Sequence, residues 1–313
     1  MYDEIVKKIE EYDYIAIYRH VSPDYDAFGS QMGMYDLVKQ TYPEKTVYVC
    51  GDFSSDLVTK FKVAACFDQV DYHLGVLGIV VDTANQERID DQDYHLCKEL
   101  IKIDHHLVVD SYGDINLEDS TASSASQLVC DLYQNTNLKL SVDGATALYM
   151  GIIGDTSRFL YQSTDERTFK AASALLETGI DISEIYDTMY LKKATELQIN
   201  KFILNNYHVD GNIAYYILKD EDLKQLNISR ERGSDYVNVL SGIEEYYIWM
   251  AITENKVDDN WRVSLRSRQY AVNQVAQKYN GGGHKLASGA KLTSLEQLDD
   301  LIVDLKELIN EQN

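Results

Sequence analysis

Four short apolar runs in the first third of the chain each end near a polar residue, and this repetition constrains the fold more than any other feature. They are Tyr14–Arg19, Thr46–Cys50, Leu77–Asp82 and Leu100–Asp104. Each is β-branched or apolar and about as long as a buried strand. A helical pattern over Gly29–Thr41 follows the first run. Strands alternating with helices predict a parallel α/β sheet, in which ligands bind beyond the carboxyl ends of the strands.

From Thr164 the pattern turns helical. Thr164 is expected to cap a helix running to Glu177, with Gly179 as its terminator, and a second helix is expected over 183–205. The remainder reads as mixed α/β. A hairpin is expected at Val209-Asp210-Gly211-Asn212, and a strand pair around Asp258-Asp259-Asn260. A helix over Val272–Tyr279, a glycine-rich loop, a short strand and a helix from Leu295 complete the chain. A length of 313 residues suits two domains. The expected division is a parallel-sheet domain over 1–185, a helical connection over 186–206 and a smaller mixed domain over 207–313.

Four clusters of potential metal ligands lie in the first domain. They are His20 with Asp24 and Asp26; Asp82; Asp104-His105-His106; and Gly154-Asp155-Thr156. Singly, an aspartate after a strand usually forms a turn or caps a helix. Together, several such clusters are expected at equivalent strand ends of one sheet, where their carboxylates repel one another unless cations neutralise them. Mixed imidazole and carboxylate donors suit manganese above zinc, iron or magnesium.

The order His-x-x-x-Asp-x-Asp, Asp, Asp-His-His, Gly-Asp-Thr over residues 20–159 resembles the four motifs of the DHH phosphoesterases. The resemblance implies two divalent ions, most naturally Mn²⁺. His20, Asp24 and Asp82 would hold one; Asp26, Asp82, His105 and Asp155 would hold the other, with Asp82 bridging. Of the catalytic candidates His106, Asp82 and Asp104, the resemblance turns His106 toward the substrate phosphate and makes Asp104 an orienter of histidine.

Further along, Arg262 to Arg268 and the loop Asn280-Gly281-Gly282-Gly283-His284-Lys285 suit anion capture. Glycines let backbone N–H groups approach phosphate, and arginines supply planar forks. This pair resembles the DHH-associated carboxyl-terminal domain, in which the loop and its upstream strand bind nucleotide. By that resemblance Arg266, Ser267, Gly282, Gly283 and His284 are substrate-binding candidates, with Arg262 and Lys285 beside them.

The implied activity is hydrolysis of short RNA or DNA oligonucleotides or linear dinucleotides to mononucleotides, and removal of the 3′-phosphate of 3′-phosphoadenosine 5′-phosphate. Two alternatives are a non-catalytic nucleotide sensor and a phosphoanhydride hydrolase acting on pyrophosphate or polyphosphate. Against a family II pyrophosphatase, the chain lacks the Ser-Arg-Lys-Lys-type motif which that family carries in its second domain. A net charge of −22 opposes binding of long duplexes, which depends on many cationic contacts to phosphate. The acidic, amphipathic start does not read as a signal peptide, and no apolar run approaches the length of a membrane span. Four scattered cysteines without a CxxC pair point to a reducing cytoplasm. Oligomeric state is not legible.

Overall fold

The computed structural model describes residues 1–63 and 65–312. Its contacts divide the chain into a unit over Met1–Leu191 and a second unit from Lys192 onward, whereas the sequence placed a helical connection over 186–206. The single helix expected over 183–205 is two, α6 (Ile182–Tyr190) and α7 (Ala194–Asn206), because the backbone is extended at Leu191 and Lys193. α6 gives Ile185 and Met189 to the first core, and α7 gives Ile199 and Ile203 to the second.

In the first unit α1 (Tyr2–Glu11) leads into β1 (Tyr14–Tyr18), α2 (Tyr25–Thr41) and β2 (Thr46–Val49). Then come β3 (Leu77–Val81), β4 (Glu99–Asp104) and β5 (Ile115–Glu118). The strands form one parallel sheet in the order β2–β1–β3–β4–β5. All five residues of β3 are buried, as a parallel strand covered on both faces requires. Alternate residues serve two cores: Ile15, Ile17, Ile79 and Val81 face one, and Ala16, Tyr18 and Val80 face the other. β5 carries only a weak apolar signal and was not expected; it completes the sheet at the edge of β4.

α3 (Ala125–Gln134), α4 (Val142–Asp155) and α5 (Glu166–Glu177) follow. α2 begins at Tyr25 rather than Gly29, because Asp24 Oδ1 accepts from the amides of Asp26 and Ala27 at 2.9 and 3.0 Å. α5 is capped by Asp165 instead of Thr164, in a reciprocal capping box with Thr168. α2 and α4 approach at backbone distance. A Cβ on Gly29 would lie 2.6 Å from the Ala147 carbonyl oxygen and 3.0 Å from the Gly151 Cα, both on α4.

The second unit contains β6 (His208–Asp210), β7 (Ile213–Leu218), α8 (Asp220–Leu226), β8 (Ile248–Asn255) and β9 (Asn260–Ser267). It ends with α9 (Val272–Lys278), β10 (Gly282–His284), β11 (Ala287–Leu292) and α10 (Gln297–Gln312). The sheet order is β10–β11–β9–β8–β7–β6, antiparallel except between β7 and β8. Along β9, Val263, Leu265 and Ser267 are buried, while Arg262, Ser264 and Arg266 project from the opposite face. Among the described residues no helix is long and apolar enough to cross a membrane.

Candidate metal centre

The sheet of the first unit reverses its strand order between β1 and β3, since β2 lies on the far side of β1. Loops leaving two such strands diverge, and the crevice between them is the natural ligand site of an open α/β sheet. His20 follows β1 and Asp82 follows β3, so the chain sets an imidazole and a carboxylate at that point. Their Nε2 and Oδ2 atoms lie 3.3 Å apart.

His20 is held by its surroundings. Its Nδ1 lies 2.8 Å from the Val21 carbonyl oxygen, which fixes Nδ1 as the protonated nitrogen and leaves Nε2 as the available donor atom. Behind it Arg19 is fully buried, paired with Asp90 at 2.5 Å and stacked over Phe28 at 4.4 Å. The Arg19 guanidinium also donates to the Asp52 and His20 carbonyls at 2.6 and 3.3 Å.

Asp82 has a left-handed backbone (φ 50°), a conformation that aspartate tolerates better than most side chains. Its Oδ1 is buried without a well-formed hydrogen bond, 3.4 Å from His105 Nε2 and 3.6 Å from His106 Nδ1. His105 Nε2 also lies 3.3 Å from Asp155 Oδ2 and 3.8 Å from Asp26 Oδ2. Ligand atoms within each of three groups, His20–Asp24–Asp82, Asp26–His105–Asp155 and Asp82–His105–His106, lie within 4.8 Å of one another. All six residues expected as metal ligands are thus brought together, and Asp82 belongs to two of the groups.

Not every ligand comes from a strand end. Asp155 ends helix α4. It reaches the crevice because α4 packs against α2 at Gly29 and Gly151. Asp26 stands in the first turn of α2, and its two oxygens accept from the amides of Ala125 and Ser126 at 2.7 and 2.9 Å. The first turn of α3 therefore holds this carboxylate with free N–H groups at the positive end of its dipole.

Protonation behaviour tests whether cations fit. Burial, with the charge of Asp82 beside it, lifts Asp26 to about 7. Burial and the charge of Asp26 raise Asp155 well above the carboxylate range. Burial would lower both histidines, yet Asp82 overrides it, taking His20 to about 9 and His105 to about 10. Burial acting on Asp82 is overcome in turn by His105 and His20, which hold its carboxyl far below its ordinary value. The cluster gathers protons because its negative charges lack enough positive ones. Together with the orphaned Asp82 Oδ1, this is the donor set that divalent cations would complete.

Behind the third motif, Asp104 Oδ1 lies 2.8 Å from His106 Nδ1. Lys102, absent from the expected set, is fully buried on β4 with Nζ 3.3 Å from Asp104 Oδ2. Its hydrogen bonds run to the Ala84 and Asp110 carbonyls at 3.1 and 2.9 Å and to Glu118 Oε1 at 2.6 Å. A lysine inside an otherwise apolar strand was the available signal.

In the second unit the substrate candidates separate. Cross-strand register puts Arg266, Ala287 and His284 in one row of the open face. Ser267 points to the opposite, buried face, where its Oγ accepts from the amides of Gln269 and Tyr270 at 3.2 and 2.8 Å. Gly282 and Gly283 belong to edge strand β10, and Lys285 sits exposed at the turn into β11. Arg262 lines a separate pocket with Arg230 and Lys291.

Residues 14–152 match the DHH family, N-terminal domain, and residues 210–311 match the DHHA1 domain. The chain is 38% identical to a Bacillus subtilis protein described as bifunctional oligoribonuclease and PAP phosphatase NrnA, over 99% of each chain. It is 40% identical to a Streptococcus mutans protein described as probably having the same two activities, over 97% of this chain and 98% of the other. The crystal structure of an exopolyphosphatase-related protein from Bacteroides fragilis superposes with a TM-score of 0.84 at 25% identity, over 99% of this chain and 95% of the other.

Proposed function

Because the chain belongs to the DHH family of phosphoesterases and carries a DHHA1 domain, we propose that it hydrolyses short oligonucleotides and linear dinucleotides to mononucleotides and removes the 3′-phosphate of 3′-phosphoadenosine 5′-phosphate. The observation that carries this reading is the convergence of Asp26, Asp82 and Asp155 on His105 Nε2, with His20 and Asp24 grouped on the same Asp82. The likeness to relatives described as oligoribonuclease and PAP phosphatase supports the choice of substrates.

In this reading His20, Asp24 and Asp82 hold one divalent ion, and Asp26, Asp82, His105 and Asp155 hold the other, Mn²⁺ suiting the mixed donors best. When bound, the two ions supply water activation and neutralise charge on the phosphoryl oxygens. Asp104 fixes His106 with Nδ1 turned inward, which leaves Nε2 facing outward, where the imidazolium form of the ring can donate toward a phosphoryl oxygen or the leaving group. Against its burial, His106 in front and Lys102 behind hold the Asp104 carboxyl below its ordinary value. On the second unit, Arg266, His284 and the amides of Gly282 and Gly283 offer donors to a nucleotide.

The test is a panel of a pentanucleotide, a linear dinucleotide, a cyclic dinucleotide, 3′-phosphoadenosine 5′-phosphate and pyrophosphate, each incubated with the full chain and Mn²⁺. The expected kcat/KM is highest for the short linear substrates and 3′-phosphoadenosine 5′-phosphate, and lowest for pyrophosphate. Dominant pyrophosphate hydrolysis, or no turnover of any nucleotide, would overturn the proposal.

A further inference from the structure

Just beyond Asp155, three consecutive residues with side chains, Ser157, Arg158 and Phe159, take the left-handed backbone region, with φ of 47°, 65° and 66°. Residues with a Cβ enter that region at a cost, and ordinarily one at a time. A helix needs a single left-handed residue to stop. A run of three, none of them glycine, is a strained path that the surrounding structure has to enforce.

The enforcing contacts are visible on both sides of Arg158. Thr156 is fully buried, and its Oγ1 donates to the Ile152 carbonyl at 2.6 Å while accepting from the Phe159 amide at 3.0 Å. The Arg158 amide donates to the Ile153 carbonyl at 2.8 Å, and the amides of Leu160 and Tyr161 donate to the Thr156 carbonyl at 2.9 and 3.0 Å. The Phe159 ring stacks on Phe169 at 5.2 Å and meets the edge of Tyr149 at 6.2 Å. The turn is therefore fastened before and after Arg158, and the arginine side chain is what it leaves exposed.

The Arg158 guanidinium lies over the Tyr190 ring, 5.1 Å from its centroid. That ring is tied to the metal-binding end of α4, since its hydroxyl donates at 3.4 Å to the carbonyl of Ile153, two residues before Asp155. On the same end of α4, Tyr25, which stands between Asp24 and Asp26, packs so closely that a Cβ on Gly154 would lie 2.8 Å from its own. Arg158 is thus seated beside the candidate metal centre. Arg19 and Arg167 are both committed to aspartates. Arg158, among the described residues and in a chain of net charge −22, has neither a carboxylate partner nor a side-chain hydrogen bond. An aromatic face holds a guanidinium without neutralising it, so its donors stay available to an anion.

We propose that Arg158 is a substrate-binding residue of the first unit, which donates its planar fork to non-bridging oxygens of the phosphoryl group presented to the metal centre, with the Tyr190 ring as its seat. The assignment rests on the reading of that centre as the place where phosphate esters are cut. It makes the first unit a source of cationic contact with the substrate in its own right, at a centre whose protein groups are mostly carboxylates.

The test uses the full-length chain loaded with Mn²⁺, its metal content checked by elemental analysis, and inorganic phosphate as the probe in a calorimetric titration. R158A should keep its metal and bind phosphate at least tenfold more weakly. R158Q, which retains the stem over Tyr190, should show the same loss and carries the test if R158A folds poorly. Arg158→Lys should recover only part of the affinity, because an ammonium cannot offer two parallel donors. In turnover, kcat/KM for a linear dinucleotide and for 3′-phosphoadenosine 5′-phosphate should both fall at least tenfold in R158A. Millimolar guanidinium chloride should restore part of that activity in R158A without stimulating the wild type, a response that a merely structural role would not give. Wild-type phosphate affinity in both R158A and R158Q, or a loss that tracks missing Mn²⁺, would overturn the assignment. A wild-type chain that turns over no nucleotide, while R158A still loses phosphate affinity, would overturn the enzymatic reading and leave Arg158 as an anion-binding residue.

Discussion

Asp104 and His106 meet through Oδ1 and Nδ1 at 2.8 Å, two residues apart at the end of β4. The carboxylate accepts from the imidazole and fixes which ring nitrogen carries the proton. Asp104→Asn retains the shape and removes the charge. Its kcat is expected to fall about 10–100-fold while bound metal, measured by elemental analysis, stays at the wild-type level. Loss of metal with normal turnover per ion would instead make Asp104 part of the ligand set.

Lys102 is the cation behind that pair. Substituting methionine leaves Glu118 and Asp104 buried without it, and removing one member of a buried ion pair costs about 3–5 kcal/mol. Denaturant unfolding of Lys102→Met should show a loss of that size. A change below about 1 kcal/mol would mean that the buried ammonium contributes little to the fold.

Arg167 bridges Asp119 and Asp131, its Nη2 lying 2.7 Å from Asp131 Oδ2. Burial pushes Asp119 up, but Arg167 and Thr121 hold it down to about 2. The ordinary aspartate value is about 3.9, so the unfolded chain takes up this proton first as pH falls. The stabilisation from Asp119 is complete above about pH 4 and disappears toward pH 2. Burial raises Asp131 and opposes part of it. Arg167→Gln should be less stable than wild type by about 1–2 kcal/mol near neutrality. The gap should close on acidification, as thermal melts across pH 2–7 would show; a gap that widened would refute the assignment.

Gly29 and Gly151 let α2 and α4 touch at backbone distance. Gly29→Ala should destabilise the chain by about 1–3 kcal/mol, the usual cost of overpacking. It should also weaken Mn²⁺ binding in a calorimetric titration, because Asp26 and Asp155 ride on the helices being forced apart. Destabilisation with unaltered metal affinity would separate the helix contact from the site.

The parallel sheet was legible because buried strands write long apolar runs, and the candidate ligand cluster because His20, Asp82 and His105 stand directly after such runs. Asp155 was found by its motif, with no element assigned to the apolar stretch before it. The apolar Tyr149–Ile153 stretch is the buried end of α4, and periodicity cannot distinguish a short buried helix segment from a strand. The break at Leu191–Lys193 was hidden because helical residues flank it on both sides. Ser267 and Arg262 were grouped with Arg266 by the family resemblance. Strand alternation sends Ser267 to the other face, and a spacing of four carries Arg262 to a different pocket.

The grip of the first turn of α3 on Asp26 has a consequence for how the protein meets its ions. Both oxygens of that carboxylate are satisfied by backbone amides, so one wall of the receptacle is built by the polypeptide itself and needs no ion to shape it. Loading then resembles filling a preformed socket more than nucleating a fold. Divalent cations can come and go at such a wall without the chain having to refold each time.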